Sequence, residues 1–168
     1  MWRVRPLSQD HDTSTFSCGN PELDDWLHRQ AWRATTQDTA RTYVWTGSDD
    51  QSVVAYYAIA PTQVRRDGLS RSTSGGHSVI PAFLIARLAL DRSLHGQGLG
   101  THVLLDALDH LADAIDHVAG RLVVVDAIDD DAIRFYAHHG FHQIGNTRRL
   151  FLRSASLRAT LAQHRENQ

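Results

Sequence analysis

The chain lacks lysine, and all 17 of its basic residues are arginine. A Walker A phosphate loop, a Schiff-base enzyme and a lysine general base each need a lysine side chain, so these three kinds of site are excluded. Cys18 is the single cysteine, which excludes an internal disulfide and suits a reducing compartment. No apolar run approaches the roughly 20 residues that span a bilayer, and the N-terminus does not resemble a signal peptide. We therefore expect a cytoplasmic protein.

The composition that remains is typical of a globular domain. Of the 168 residues, 42% are hydrophobic and 21% are charged, and the formal net charge is −2 at pH 7. This length predicts a single domain over residues 1–168 with a sizeable core. Histidine is frequent, with 11 residues, but we find no set of ligands in the sequence that supports a metal site. We therefore expect no metal site.

Apolar periodicity and turn residues predict the order helix, hairpin, strand, helix, strand, helix, strand. Asn20 and Pro21 begin the first helix. Asp129 or Asp130 caps the last helix, and Gly140 ends it. This order predicts a mixed sheet with helices on both faces, in the α/β or α+β class. The predicted strands are 41–46, 52–59, 83–90, 122–125 and 148–152; residues 65–77 are predicted to be a mobile loop.

A glycine-rich turn over residues 96–100 joins the buried strand to a long amphipathic helix. Glycine lets the backbone turn tightly and expose its N–H groups, and the start of a helix adds the positive end of its dipole. Together these features predict a phosphate-binding turn. A Rossmann fingerprint fails, because Thr101 replaces its last glycine and no acidic residue follows on a matching strand. A tight turn without a ligand is the alternative.

The turn resembles motif A of the GNAT N-acetyltransferases, whose signature is Gln or Arg, two residues, Gly, one residue, then Gly or Ala. Gly98 and Gly100 match this signature, while His95 stands where Gln or Arg is usual. Residues 123–127 and 132–141 are similar to motif B, in which a strand splays from its neighbour and an F-Y-x-x-x-G-F helix follows. The resemblance implies the GNAT fold, with a central sheet splayed between two parallel strands. It also implies acetyl-coenzyme A as cosubstrate, with its pyrophosphate on the turn.

The same resemblance implies roles for individual residues. Tyr136 is the expected general acid, which protonates the departing thiolate; a core aromatic without a catalytic role is the alternative. Leu90 is expected to present a backbone N–H to the oxyanion, and Leu88 to align the pantetheine. The residues expected to bind the coenzyme are Leu88, Ala89, Leu90, His95, Gly96, Gln97, Gly98, Leu99, Gly100, Thr101 and Phe135.

A narrower resemblance concerns the amine that accepts the acetyl group. Residues 16–27 look like the opening of the acetyltransferase toxins of toxin–antitoxin pairs, and residues 81–91 resemble their P-x-x-L-L-G-R-L-A-V-D segment, with Ala86 in place of glycine. This resemblance implies acetylation of the α-amino group of aminoacyl-tRNA, a block of translation, and neutralisation by a ribbon-helix-helix antitoxin. Two other classes stay open. One is an acetyltransferase of a small amine or a protein N-terminus, and the other is an inactive binding module.

A tRNA substrate requires contacts to phosphates, and arginine is the side chain available for them. The slightly acidic chain lacks the positive excess of most nucleic-acid binders, so we expect a homodimer that gathers arginines into one groove. An α-amino group titrates near pH 7.7–8, so a useful fraction of the amine is already unprotonated without a dedicated base. The candidates for substrate or RNA binding are Arg29, Arg33, Arg41, Arg65, Arg66, Arg71, Arg87, Arg148, Arg149 and Arg153.

Overall fold

The computed structural model of the chain describes residues 2–168. Its strands form one sheet in the order β1-β2-β3-β4-β5-β7-β6, in which β4 and β5 are parallel and the pairs β1–β2, β2–β3, β5–β7 and β6–β7 are antiparallel. The predicted mixed sheet is therefore confirmed. The elements are β1 (Arg3–Pro6), α1 (Pro21–Arg29), α2 (Ala31–Thr36), β2 (Arg41–Thr46), β3 (Val53–Arg65), α3 (Arg71–Ser74), β4 (Val79–Leu90), a 3-10 turn (Arg92–Leu94), α4 (Leu99–Val118), β5 (Leu122–Asp126), α5 (Asp130–His138), β6 (His142–Gln143), β7 (Arg149–Arg153) and α6 (Ser154–Glu166).

The chain divides into two compact units. The first contains the residues up to Ala60 together with Ala86–Ala107, and the second contains Pro61–Ile85 together with Leu108–Gln168. Among residues 2–168, none of the helices combines the length and the apolar character needed to cross a membrane.

Helix α1 anchors the core of the first unit. As predicted, it begins at Asn20, whose side-chain oxygen accepts a hydrogen bond from the Leu23 amide at 3.2 Å. Leu23 and Leu27 are buried in one cluster with Tyr56 of β3 and Ala89 of β4. The Tyr56 hydroxyl also donates to the Leu23 carbonyl at 2.7 Å. Apolar burial and this buried hydrogen bond together fix α1 against the two strands.

Parallel strands form the core of the second unit. Ala82–Ile85 of β4 pairs with Leu122–Val125 of β5, and all four of these β5 residues are buried. Burial on both faces is typical of a parallel strand, which explains the unbroken apolar run of β5. Helix α5 follows β5 and begins at Asp129, whose carboxylate accepts from the Ala132 amide at 2.8 Å. The predicted strand and the predicted capped helix are confirmed.

The sequence prediction lacks five of the observed elements, namely β1, α2, α3, β6 and α6. The predicted loop over residues 65–77 contains a short helix, α3, which Ser70 caps through a 3.2 Å hydrogen bond from the Thr73 amide. Strand β1 escapes prediction because all four of its residues are exposed, so no apolar alternation marks it. Helix α6 escapes prediction because its buried apolar residues are only Leu157 and Leu161.

Candidate active site

Asp91 holds the segment that leads from β4 into the glycine turn. Its carboxylate accepts hydrogen bonds from the amides of Ser17 and Ser93, each at 3.0 Å, and its own amide donates to the Val54 carbonyl at 2.8 Å. Burial opposes ionisation of this carboxyl, but the hydrogen bonds from Ser17 and Ser93 outweigh it and lower the pKa of Asp91. The turn therefore starts from a fixed, negatively charged anchor.

Gly96 and Gly98 are required by the backbone of the turn. Their φ angles are +79° and +74°, in the left-handed region that disfavours other residues. A Cβ atom added at either position would meet no atom within 4 Å. Both positions therefore have space for a side chain, and only the backbone conformation demands glycine.

The amides that follow these glycines have no backbone acceptor in the protein. Across residues 2–168, no backbone carbonyl accepts from the N–H groups of Gln97, Gly98, Leu99 or Gly100. The 20-residue helix α4 begins at Leu99, so the positive end of its dipole coincides with these donors. Adjacent unpaired amides at a helix start are the arrangement that binds phosphate groups.

His95 ties the turn back to the end of β4. Its Nε2 lies 2.7 Å from the carbonyl oxygen of Leu90. A carbonyl oxygen can only accept, so Nε2 carries the hydrogen of this bond. The ring nitrogen thus contacts the strand end, where the family resemblance implies the pantetheine and oxyanion contacts. His95 therefore holds the turn and the strand end together.

Tyr136 lies in the second unit, in α5, and is 8% exposed. Its ring packs edge-on against Phe135 and Phe141, with centroid distances of 5.2 and 5.5 Å. Burial raises the pKa of its phenol well above the usual value near 10. The phenol is therefore protonated at neutral pH, which makes it a proton donor and not a base. Phe135 also packs against His139, at 4.9 Å.

The candidate arginines fall into two groups. In the first group each guanidinium pairs with a carboxylate: Arg149 with Asp126 through two bonds of 2.7 and 2.9 Å, Arg41 with Asp38 at 2.6 Å, Arg65 with Asp67 at 3.4 Å, and Arg148 with Asp130 at 3.6 Å. The side-chain hydrogen bond to Asp126 raises the pKa of Arg149. The second group forms no ion pair within the part of the chain that the structure describes, and consists of Arg29, Arg33, Arg66, Arg71, Arg87 and Arg153.

The sequence profile described as "Acetyltransferase (GNAT) family" matches residues 6–141. This match spans most of the chain and includes both the glycine turn and Tyr136. The chain belongs to the GNAT acetyltransferase family. It is also similar to a "tRNA-acetylating toxin" of Mycobacterium tuberculosis (strain ATCC 25618 / H37Rv), with 36% identity over 138 residues, which is 82% of each chain.

Solved structures resemble this GNAT chain over nearly its whole length. AtaT in complex with acetyl-methionyl-tRNAfMet is 26% identical and has a TM-score of 0.87, and the match covers 95% of this chain and 98% of AtaT. A Tyr-to-Phe variant of the AtaT toxin, bound to the C-terminus of the antitoxin AtaR and to acetyl-CoA, is 25% identical. Its TM-score is 0.83, and the match covers 96% of this chain and 99% of that one. The expected GNAT fold is thus confirmed.

Two features of the GNAT chain are missed by the sequence analysis. The first is the capping role of Asp91, although an Asp followed two residues later by Ser93 is a local signal from which it could have been predicted. Trp26 lies beneath the guanidinium of Arg87, whose central carbon is 5.4 Å from its ring centroid. The apolar periodicity of α1 includes Trp26, but periodicity carries no signal of a contact with a distant arginine.

The surroundings of Cys18 disfavour a thiol nucleophile. Burial raises the pKa of the Cys18 thiol to about 11, so Cys18 is a poor nucleophile at neutral pH. Within residues 2–168, no group of three His, Cys, Asp or Glu side chains is arranged to hold a metal ion.

Proposed function

We propose that the chain transfers an acetyl group from acetyl-coenzyme A to the α-amino group of aminoacyl-tRNA, and that it acts as a toxin that blocks translation. The observation that carries the coenzyme part is the row of unpaired amides from Gln97 to Gly100 at the start of α4. The tRNA part is supported by the names of the relatives, a tRNA-acetylating toxin and AtaT with acetyl-methionyl-tRNAfMet.

The coenzyme site is proposed along the strand end and the turn. The pyrophosphate accepts hydrogen bonds from the turn amides, because these donors combine with the dipole of α4. His95 keeps the turn at a fixed distance from Leu90 through its 2.7 Å bond. The residues proposed to contact the coenzyme are Leu88, Ala89, Leu90, Gly96, Gln97, Gly98, Leu99, Gly100, Thr101 and Phe135.

The proposed chemistry is direct transfer. The lone pair of the unprotonated amine attacks the thioester carbonyl, and the oxyanion is stabilised by the backbone N–H of Leu90. The carbon–sulfur bond then breaks, and the phenol of Tyr136 donates its proton to the departing thiolate. The nitrogen loses a proton as the amide forms, and this second proton passes to solvent or reprotonates the Tyr136 phenolate. The buried phenol suits the acid role, since its raised pKa keeps it protonated.

RNA contacts are proposed for arginines without a carboxylate partner. Arg29, Arg33, Arg66 and Arg87 meet this condition among the described residues. Arg65, Arg148 and Arg149 form ion pairs with carboxylates in the free protein, so we propose the RNA contacts for the unpaired arginines in preference to these three. We further propose a cytoplasmic homodimer that combines two sets of unpaired arginines, and a ribbon-helix-helix antitoxin as its partner. AtaT bound to the C-terminus of AtaR supports an antitoxin.

Mass analysis of charged tRNA tests the proposed function. A pool of aminoacyl-tRNAs is incubated with acetyl-coenzyme A and the protein, digested to aminoacyl-adenosines, and compared with the same reaction containing Tyr136→Phe. The expected product is N-acetyl-aminoacyl-adenosine, strongly reduced in the variant. Acetylation of small amines with every charged tRNA unmodified would instead establish a small-molecule acetyltransferase. Coenzyme binding without acetylation of any amine would establish an inactive binding module.

A further inference from the structure

Arg87 occupies a fixed position on β4 without an anionic partner. We propose that its guanidinium binds a phosphodiester in the single-stranded 3′ end of the acceptor, next to the nucleotide that bears the amino acid. This inference rests on the proposed function, because it assigns a residue to the RNA end of that substrate. The ligand is identified by its chemistry, an RNA phosphate.

An aromatic platform holds the guanidinium in place. Its central carbon lies 5.4 Å from the ring centroid of Trp26, and Nη1 donates to the Ala86 carbonyl at 2.7 Å. Trp26 is stacked on Tyr56 with an interplanar angle of 8° and a centroid distance of 5.9 Å. Tyr56 is fully buried and bonded to Leu23. The cation is therefore preorganised, and little side-chain freedom remains to be lost on binding.

The same guanidinium is left incompletely satisfied. Its Nε is buried and has no hydrogen-bond partner among residues 2–168. Asp24, a carboxylate on the same helix as Trp26, accepts from the Cys18 amide at 2.9 Å instead. Burying an unpaired donor of a charged group destabilises the folded protein. This destabilisation is larger than the stabilisation that a cation–π contact gives at a partly exposed site. The free protein thus carries Arg87 at a cost in stability, which an anion bound to the guanidinium would offset.

Arg87 lies next to the strand segment at which the acetyl group is proposed to be transferred. Arg87 directly precedes Leu88–Leu90, the segment proposed to align the pantetheine and the oxyanion. Side chains alternate along a strand, so Arg87 shares a face with Ala89, which packs in the cluster of α1. Arg87 therefore lies beside the proposed reacting segment, on the face that carries α1.

The chemistry of the acceptor selects phosphate as the anion. In aminoacyl-tRNA the carboxylate of the amino acid is esterified and carries no charge. The phosphodiesters of the 3′ end are then the anions nearest the reacting amine. The planar guanidinium matches two phosphate oxygens in a forked arrangement, which a lysine ammonium does not reproduce.

Two matched acceptors test this inference. One is an aminoacyl-adenosine analogue without phosphate, and the other is the same analogue extended by two cytidines through phosphodiesters. Arg87→Met is expected to raise KM for the extended acceptor by about tenfold or more, since it removes a charge-assisted hydrogen bond. KM for the phosphate-free acceptor and Kd for acetyl-coenzyme A are expected to stay unchanged, and Tm to stay level or rise. Arg87→Lys is expected to restore part of the loss. The control is Arg158→Met, which removes an exposed arginine paired with Asp116.

An equal rise in KM for both acceptors, or a lowered Tm with equal losses, would show that Arg87 is merely structural. Direct binding of the uncharged trinucleotide CCA separates this inference from the proposed function. If the wild-type protein acetylates no charged tRNA but binds CCA more tightly than Arg87→Met does, the phosphate site stands and the proposed function fails. If charged tRNA is acetylated while Arg87→Met leaves every constant unchanged, the proposed function stands and the phosphate site fails.

Discussion

The two units of the chain differ in whether their functional polar groups have partners within the protein. In the first unit, the turn amides have no backbone acceptor among residues 2–168, and Nε of Arg87 has no partner there either. In the second unit, Tyr136 packs edge-on against two phenylalanine rings, and Arg149 donates to both carboxylate oxygens of Asp126. The unpaired donors of the first unit are suited to bind an anion. In the second unit, burial keeps the Tyr136 phenol protonated.

We therefore expect the first unit to determine ligand affinity and the second unit to determine the rate of the chemical step. Unpaired amides on an open turn change ligand affinity, because a ligand supplies the acceptors that the protein lacks. A buried phenol with a raised pKa changes the rate of a proton transfer without contributing much to affinity. Variants in the two units are therefore expected to affect different constants.

The largest effect is expected from Tyr136→Phe. Removing the hydroxyl removes the proposed general acid, so kcat is expected to fall by about 100-fold or more. The ring packing against Phe135 and Phe141 is retained, so Kd for acetyl-coenzyme A and Tm are expected to change little. Steady-state kinetics with calorimetry separate these constants. An unchanged kcat would remove Tyr136 from the mechanism and leave it a core aromatic.

The next effect is expected from Gly98→Val, which should raise Kd for acetyl-coenzyme A by about 10- to 100-fold. A β-branched residue is strained at a φ of +74°, and relaxation of that strain would turn the amides away from the pyrophosphate. Gly145→Val is the matched control, since Gly145 has a φ of +56° and equally open surroundings in the second unit. If both variants weaken coenzyme binding equally, general strain and not the turn is responsible.

The pH dependence sharpens the role of the buried phenol. The reacting amine must be unprotonated, so kcat/KM is expected to rise with pH up to about 8. The raised pKa of Tyr136 keeps the acid form present above this pH, so the profile is expected to stay flat to about pH 10. An amide-linked aminoacyl analogue avoids hydrolysis of the ester during the measurement. A fall in kcat/KM between about pH 8 and 9 would contradict a buried acid with a raised pKa.

The smallest effect is expected from Arg149→Met. Its guanidinium is committed to Asp126, and partly exposed ion pairs of this kind contribute about 0–1 kcal/mol to the free energy of unfolding. KM for charged tRNA is expected to stay within about twofold of the wild-type value. A tenfold rise in KM would place RNA contacts on paired arginines and would erase the proposed distinction between the two groups.

Local chemistry explains which features could be predicted from sequence. Asn20 and Asp129 are capping residues that act within three residues, and the predicted bounds of β2, Arg41–Thr46, match the observed strand. The pair of Arg149 with Asp126 depends instead on the register of β7 against β5, which places these residues opposite each other. The contact of Arg87 with Trp26 depends on packing between distant segments. Neither contact leaves a local pattern.

Amide chemical shifts of the glycine turn test the central claim most directly. With ¹⁵N-labelled glycine, the 11 glycine signals are followed while coenzyme A, and separately pantetheine without the pyrophosphate, is added. We expect the Gly98 and Gly100 amides to shift downfield with coenzyme A and to remain nearly in place with pantetheine. Equal shifts with both ligands, or no shift at these two glycines while coenzyme A binds, would contradict a pyrophosphate site on the turn.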